Sequence, residues 1–199
     1  MDPVSTYRDS RMETSEIPQF HERALQSTGR FVAGVAADRW HASTPCEAWD
    51  VTTLVNHLVA GNLWAAELGR GLTIDEVGDR LDGDVLGDDP VAAYEASAKA
   101  AGAAFGAEGA MEAMFAVSYG PVPGKVYARH RLLDVFVHGW DLAVATGQET
   151  RLDPDLVEAC LAYVEPRTEM RTAWGFAELE APAGADTQAR FLALVGRRS

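Results

Sequence analysis

The sequence predicts an all-α protein, an antiparallel four-helix bundle with a short extra helical segment near its C-terminal end. Apolar residues recur every three or four positions along several long segments, which is the spacing of amphipathic helices. Turn and capping residues separate these segments, and little of the chain shows the alternation typical of strands. With 47% apolar residues in a length of 199, the chain can bury the core that such a bundle requires.

Two helices are predicted in the first third of the chain. Apolar positions at helical spacing place the first helix from Ile17 to near Trp40. The second has two candidate starts: Thr44, where Thr-Pro-Cys-Glu has the form of a capping box, and Asp50, a second possible N-cap. It is expected to end near Leu68, before a turn rich in glycine.

The middle of the chain contains one predicted helix between two irregular segments. Residues 75–89 hold seven acids among glycines, and because their spacing does not match a calcium-binding loop, we expect a solvated acidic loop. Asp89-Pro90 is typical of an N-cap followed by the first helical residue, so a third helix is expected to run to Phe105. Residues 111–119 have an extended pattern, and Gly120–Gly124 is a Gly/Pro loop predicted as a lid over a pocket.

The last third of the chain contains the remaining predicted helices. The fourth runs from about Val126 to Thr146 and is stopped by Gly147. A fifth opens at Asp153-Pro154, and a last short helix lies near residues 187–195.

Composition limits the domain organisation and the partners. We expect a flexible N-terminus over residues 1–15 and a single domain over 16–199. The net charge of −13 disfavours nucleic acid and anionic membranes as partners, since both repel an acidic protein. Cys46 and Cys160 show no paired framework, and no secretory leader or apolar span is present, so a cytoplasmic protein with free thiols is expected. Composition leaves monomer and homodimer both open.

The fourth predicted helix carries a polar stripe within an apolar sequence. Residues 131–145 are apolar on nearly all sides, which predicts burial. At about 100° per residue, His130, Asp134, His138 and Asp141 fall within an arc of roughly 80°. A buried carboxylate is costly unless it is paired, hydrated or bound to a cation. The stripe therefore predicts either buried hydrogen bonds or a metal site.

A metal site is favoured when the second helix is included. Asp134 and His138 lie one helical turn apart and can aim at one point. His57 lies on the apolar face of the second helix, and a bundle that buries this face brings it towards both residues. These three are the predicted ligands of a divalent metal, with open coordination positions as in catalytic sites. Zinc is the first choice, and nickel or iron(II) suits the same donors.

Two sequence motifs resemble one protein family. Thr44–Val51 (Thr-Pro-Cys-Glu-Ala-Trp-Asp-Val) with Leu54–Leu58 (Leu-Val-Asn-His-Leu) is similar to the opening motif of actinobacterial DinB-like proteins. Asp134–Ala143, followed by Ala145–Gly147, resembles the metal-binding domain of mycothiol-dependent maleylpyruvate isomerase and its single-domain relatives. The resemblance covers about residues 16–199.

The resemblance implies a DinB-like four-helix bundle with a divalent metal in its core. The family takes its ligands from a histidine on the second helix and an acid-x3-histidine pair on a later helix, which match His57, Asp134 and His138. Two differences stand out. The isomerase has glutamate where this chain has Asp134, and it carries an additional C-terminal domain for which 199 residues leave no room.

The function implied is that of a metal-dependent enzyme acting with a small thiol, mycothiol as cosubstrate. The reaction would be S-transfer to a small-molecule electrophile or a thiol-assisted isomerisation, because a bound metal favours the nucleophilic thiolate. Two other classes stay open. One is a metal-binding protein without catalysis, such as a sensor, and the other is a metal-dependent hydrolase or lyase that needs no thiol.

Three further residues, Asp141, His130 and Tyr127, are candidate catalytic residues beside the predicted ligands. Asp141 is a candidate to hydrogen-bond a ligand histidine, or else an exposed or capping acid. His130 is a candidate fourth ligand or general acid, or else a surface residue. Tyr127 is predicted to line the entrance. Cys46 belongs to the shared motif but is interpreted mainly as a small buried residue.

The remaining aromatic and histidine residues are given structural roles. Trp49 and Trp140 are predicted to anchor packing rather than to bind substrate. His21 and His41 have no partner at ligand spacing and are predicted as surface histidines.

Overall fold

The computed structural model describes residues 12–173, 176 and 179–198, without the side chains of residues 170 and 173. The described chain is mostly helical, as predicted, with one small sheet. The helices are α1 Ile17–Ala33, α2 Val51–Gly69, α3 Ile74–Val77, α4 Pro90–Gly106, α5 Gly124–Thr146, α6 Pro154–Val164, α7 Thr168–Ala173 and α8 Thr187–Leu194; the strands are β1 Met114–Val117 and β2 Gly120–Pro123. None of the described helices has the combined length and apolar character needed to cross a bilayer.

The chain divides into two compact units. The larger comprises Thr14–Arg151, and the smaller includes the described part of Leu152–Ser199. In the smaller unit α6 packs against α7 and α8. The predicted flexible segment 1–15 lies mostly outside the described residues.

Four long helices form the larger unit. Helix α1 packs against α4 and α5, and α2 packs against the same two helices. Most of the buried core between them is apolar, and it includes Leu54, Leu58, Phe105, Leu132 and Phe136.

The first helix is shorter than predicted. It ends at Ala33 rather than near Trp40. The side-chain amide of Gln148 donates to the carbonyl of Phe31 at 2.9 Å, and so replaces a backbone hydrogen bond that a further helical turn would make. Arg39, in the segment after the helix, donates to the carbonyl of Ala145 at 2.9 Å. The side chain of Gln148 thus satisfies a carbonyl of α1 that a continued helix would have paired, and Arg39 instead contacts the end of α5.

The second helix starts at the later of its two candidate caps. The Asp50 carboxylate accepts from the backbone N–H of Thr53 at 2.8 Å. Thr44 is not a helix cap, since its hydroxyl accepts from the N–H of Cys46 and donates to the carbonyl of Trp49. Residues 44–49 therefore form a closed turn in front of α2.

The segment Gly120–Gly124, predicted as a loop, instead forms strand β2 and the first residue of α5. Residues 120–123 pair antiparallel with β1, with Met114 opposite Pro123 and Val117 opposite Gly120. Gly124 is the first residue of α5. The prediction of an irregular loop here was wrong, because two prolines and two glycines hid a short hairpin whose turn uses the positive φ of Gly120.

Helix α5 confirms the predicted burial. Every residue from 131 to 143 except Asp134 is buried. Gly139 allows a close approach to α1, since a Cβ there would lie 3.3 Å from the Cβ of Thr28 and collide with its hydroxyl. The helix ends at Thr146 and is stopped by Gly147, as predicted, with Gly147 in a left-handed conformation.

The acidic segment 75–89 begins with a helical turn. Thr73 and Glu76 form a capping box at the start of α3. Asn56 on α2 binds the far part of the segment, donating to the carbonyl of Gly83 and accepting from the N–H of Val85, both at 2.9 Å. The loop is thereby attached to α2 next to His57.

Candidate metal centre

The three predicted metal ligands lie together in the larger unit. His57 comes from α2, and Asp134 and His138 lie one turn apart on α5. The Nε2 atoms of His57 and His138 lie 3.2 Å and 3.6 Å from Oδ1 of Asp134. One nitrogen or oxygen from each residue fits within 4.8 Å of the others, so the group can hold a metal ion.

The depth of the group suits a site that small molecules reach. The side chains of His57 and Asp134 are 35% and 25% exposed, whereas that of His138 is 11% exposed. Leu54 and Leu58, on either side of His57 along α2, are fully buried. The group therefore lies at the edge of the apolar core, partly open to solvent.

Asp134 is ionised in this environment. Burial would raise the pKa of Asp134, but the charge of Arg131, the charge of His138 and the hydrogen bond from His57 together hold that pKa well below its usual range. Nη1 of Arg131 donates to Oδ2 of Asp134 at 2.8 Å. The carboxylate thus presents Oδ2 to the arginine and Oδ1 to the two imidazoles.

Asp141 holds the other nitrogen of His138. Nδ1 of His138 donates to Oδ2 of Asp141 at 2.9 Å, and Asp141 is completely buried. This is the contact predicted for Asp141, and the alternative of an exposed acid is wrong. Burial lowers the pKa of His138, but the carboxylates of Asp134 and Asp141 outweigh it and raise the pKa to about 9. The bond leaves Nε2 facing Asp134 and His57.

Cys46 also lies at the group. Its Sγ donates to Oδ2 of Asp141 at 3.5 Å and lies 3.8 Å from Nδ1 of His138. These three residues form a second set of donors close enough for a cation. At 2.9 Å, the separation of Nδ1 and Oδ2 is that of a direct hydrogen bond, so this set is interpreted as support for His138. Cys46 is half-buried, and its interpretation as mere packing was incomplete.

Trp49 borders the histidines. Its ring centroid lies 4.7 Å from that of His57 and 5.6 Å from that of His138. Trp140, by contrast, is buried in α5, in agreement with a packing role. The closed turn of residues 44–49 therefore brings both Cys46 and Trp49 to the candidate metal group, which consists of His57, Asp134 and His138.

Two further candidates lie elsewhere. His130 belongs to neither donor set; its Nδ1 lies 2.7 Å from the hydroxyl of Tyr119, on the segment after β1. Tyr127 is buried against the rings of Phe105 and Phe115, with both centroids 5.6 Å away, rather than lining an entrance. Burial raises the pKa of the Tyr127 hydroxyl. The helical stripe could not show that the partner of His130 is Tyr119.

His21 is a correction to the sequence analysis. It is fully buried rather than on the surface, and its ring packs edge-on against Phe105. Within the described part of the chain, neither ring nitrogen has a hydrogen-bond partner. Its position in the amphipathic pattern of α1, four residues before the buried Leu25, is a signal for this burial. His41 is exposed, as predicted, beside Asp50.

Fold and site together define a helical protein with a histidine–carboxylate group able to hold a divalent cation. The chain belongs to the family described as the mycothiol maleylpyruvate isomerase N-terminal domain, whose model matches residues 21–143. This confirms the resemblance and assigns the chain to a mycothiol-related, DinB-like metal-binding family. The matched residues include His57, Asp134 and His138 and lie within the larger unit.

Two relatives support this assignment. They are uncharacterized proteins of Mycobacterium tuberculosis, from strains CDC 1551 / Oshkosh and ATCC 25618 / H37Rv. Each is 39% identical to this chain over 142 residues, which is 71% of this chain and 74% of the relative. No solved structure matches the chain.

Proposed function

We propose that this protein is a metal-dependent enzyme that uses a low-molecular-weight thiol, mycothiol, for S-transfer to a small-molecule electrophile or for thiol-assisted isomerisation. The observation that carries the proposal is the convergence of His57 and His138 on one oxygen of Asp134. The thiol comes from the family, whose description names mycothiol. A cytoplasmic location belongs to the same proposal, because both cysteines are free.

The DinB-like antiparallel four-helix bundle is part of the proposal. It assigns α1, α2, α4 and α5 to one bundle, and the contacts of α1 and α2 with both α4 and α5 support it. In such a bundle, metal ligands project inward from facing helices, as His57 does from α2 and Asp134 from α5.

The donor spacing fits zinc. Zinc binds imidazole nitrogen and carboxylate oxygen at about 2.0–2.2 Å, so two such ligands in tetrahedral geometry lie about 3.4 Å apart. The separations of 3.2 Å and 3.6 Å from Oδ1 of Asp134 lie on either side of this value. Three protein ligands leave a coordination position for a thiol or water.

The chain's own residues prepare the site for thiol chemistry. A bound divalent ion would supply a Lewis acid that favours the thiolate over the thiol. Asp141 keeps Nε2 of His138 directed at the site by binding Nδ1–H, and Arg131 balances the charge of Asp134. Trp49 forms an aromatic wall beside both histidines, against which an electrophile can pack.

Both reactions balance with these groups. In S-transfer the thiol releases its proton to solvent, its sulfur forms a bond to carbon of the electrophile, and the leaving group departs with its electron pair. In isomerisation the thiolate adds to an activated double bond, the new single bond rotates, and elimination expels the thiolate and re-forms the double bond in the rearranged geometry.

The first test is the metal content of protein purified without added metal. We expect near-stoichiometric zinc in the wild type and its loss in His57→Ala and in His138→Ala, because each removes one of three ligands. His41→Ala is the matched control, since that side chain is 88% exposed and lies outside the donor group. Equal metal in all four proteins would contradict the proposal.

The second part of the test concerns the thiol. Mycothiol and the electrophile monochlorobimane are incubated with zinc-loaded and chelator-treated protein, and the thioether is measured by fluorescence. We expect conjugation above the uncatalysed rate only with zinc and thiol together. Thiol-independent hydrolysis of ester probes would favour the hydrolase class, and stable metal binding without turnover of either kind would favour a sensor; both results would overturn the proposed reaction.

A further inference from the structure

Arg131 is a buried cation beside the proposed metal ligands. Its side chain is 9% exposed, and Nη1 donates to Oδ2 of Asp134 at 2.8 Å. Burying an unpaired guanidinium costs several kcal/mol, so the carboxylate three residues along α5 serves as its counter-charge. The arginine is part of the core and also contacts the metal group.

Side chains of α2 and α4 fix the guanidinium from the opposite side. Nη2 of Arg131 donates to Oδ1 of Asn62, and Nδ2 of Asn62 donates to Oγ of Ser97 on α4, both at 3.3 Å. Gly61 makes room on α2, because a Cβ there would lie only 2.5 Å from Cζ of Arg131. The position of Arg131 is thus set by three helices and not by Asp134 alone.

This arrangement gives the two carboxylate oxygens of Asp134 different partners. Oδ2 is bound by the fixed arginine, whereas Oδ1 faces Nε2 of His57 and of His138. An ion held by both carboxylate oxygens would have to displace the charge-assisted bond to Arg131.

We propose that Arg131 is a positioning residue for the metal centre, holding Asp134 so that it binds the ion through Oδ1 alone. A single-oxygen ligand leaves a coordination position for the thiol that a two-oxygen ligand would fill. This inference rests on the proposed function, because it needs the metal at His57, Asp134 and His138.

Zinc affinity of the full chain, measured by chelator competition, tests this role together with the visible spectrum of the cobalt(II)-substituted protein. Arg131→Met should bind zinc about 10–100-fold more weakly, as is typical when a group that orients a ligand is lost. Its cobalt bands should weaken and shift towards those of higher coordination. Charge alone predicts the reverse, since removing a cation next to the ion strengthens cation binding. A loss of affinity therefore reports lost positioning.

Gly61→Ala tests the same role while keeping the arginine. The added methyl group displaces the guanidinium, so zinc affinity and the cobalt spectrum should change in the same direction as in Arg131→Met. Gly102→Ala is the matched control, because its Cβ would lie 3.9 Å from Leu25, an ordinary contact. We expect Gly102→Ala to match the wild type.

The outcomes separate the two proposals. Wild-type affinity and an unchanged cobalt spectrum in Arg131→Met and Gly61→Ala would overturn the role of Arg131 and leave the metal site intact. If Arg131→Met does not fold, the result for Gly61→Ala decides. A wild type that binds zinc no better than His57→Ala would overturn the metal site and this inference with it.

Discussion

Two buried histidines, His21 and His138, have pKa values displaced in opposite directions. His138 has two carboxylates beside it, and its pKa rises to about 9. Among the residues that the structure describes, His21 has no carboxylate partner; burial, aided by the charge of Arg131, lowers its pKa to about 3. Without a bound metal, the same side chain is therefore charged in one place and neutral in the other at pH 7, and an ion bound at Nε2 of His138 would displace its proton.

The neutral state of His21 predicts acid sensitivity. In the unfolded chain His21 takes up a proton near its ordinary pKa of 6.5, whereas in the folded protein it does so only near pH 3. Above pH 6.5 the contribution of His21 to the free energy of unfolding is at its maximum. As the pH is lowered towards 3 this contribution falls, by about 3 kcal/mol at pH 4. Urea unfolding of His21→Leu should show a smaller loss between pH 7 and pH 4 than the wild type. An equal loss in His21→Leu and in the wild type would show that His21 does not contribute to the acid sensitivity. The control His41→Leu should lose as much stability as the wild type.

The metal group shows how far residue-level prediction reaches. Asp134 and His138 were paired by their one-turn spacing, and His57 by the apolar neighbours that turn its helix face inward. Cys46 lies 92 positions before His138 in the chain, and no periodicity relates the two. Its place depends on how residues 44–49 fold back, which only the three-dimensional structure gives.

At the level of elements, capping residues and helix-breaking residues predicted most helix boundaries. They did not predict which hydrogen bonds a capping residue makes when it lies outside a helix. Asp89, Asp153 and Gly147 end or begin helices as expected, because each acts on its own local backbone. Thr44 has the same local pattern as a cap, yet its hydroxyl closes a turn instead. The hairpin of β1 and β2 was missed for a related reason, since strand pairing is a contact between segments and leaves a weak local signal.

The contact between α1 and α5 gives an element-level prediction. Gly139 faces Thr28, whose hydroxyl donates to the carbonyl of Val135 at 2.9 Å. Gly139→Ala should destabilise the protein by about 1–3 kcal/mol in urea unfolding, because the methyl group meets the Thr28 side chain in a packed interface.

Two further variants test whether the collision is the cause. Adding Thr28→Ala to Gly139→Ala should restore part of the lost stability, since it removes the Thr28 hydroxyl, which is the atom nearest to the added methyl group. Gly106→Ala, where a Cβ would meet nothing within 4 Å, should cost little. If the double variant is less stable than the two single effects combined, steric overlap at Gly139 is not the explanation.

For the whole molecule, the two compact units differ in what they contribute. The family match and the metal group lie within Thr14–Arg151. The amphipathic patterns of α6 and α8 predicted both helices, but such a pattern indicates which face is buried and not its partner. That these helices pack on each other was therefore beyond the sequence.

Because the three proposed ligands come from both α2 and α5, metal loading should stabilise the folded chain. An ion that binds only the folded state adds about 2.7 kcal/mol when its free concentration is 100 times its Kd. Calorimetry should show a higher melting temperature for zinc-loaded protein and a return to the apo value after chelation. His57→Ala should lose this response; a zinc-dependent rise of the same size in His57→Ala would place the ion elsewhere.

The closed turn of residues 44–49 has a consequence for how this protein can diversify. It brings Cys46 and Trp49 to the site but contributes none of the three proposed ligands. Substitutions in this short segment can change the shape and chemistry that an incoming molecule meets, while the three proposed ligands stay on the helices. Under the proposed function, related chains can thus acquire new substrates through half a dozen adjacent codons, without passing through a form that has lost the proposed ligands.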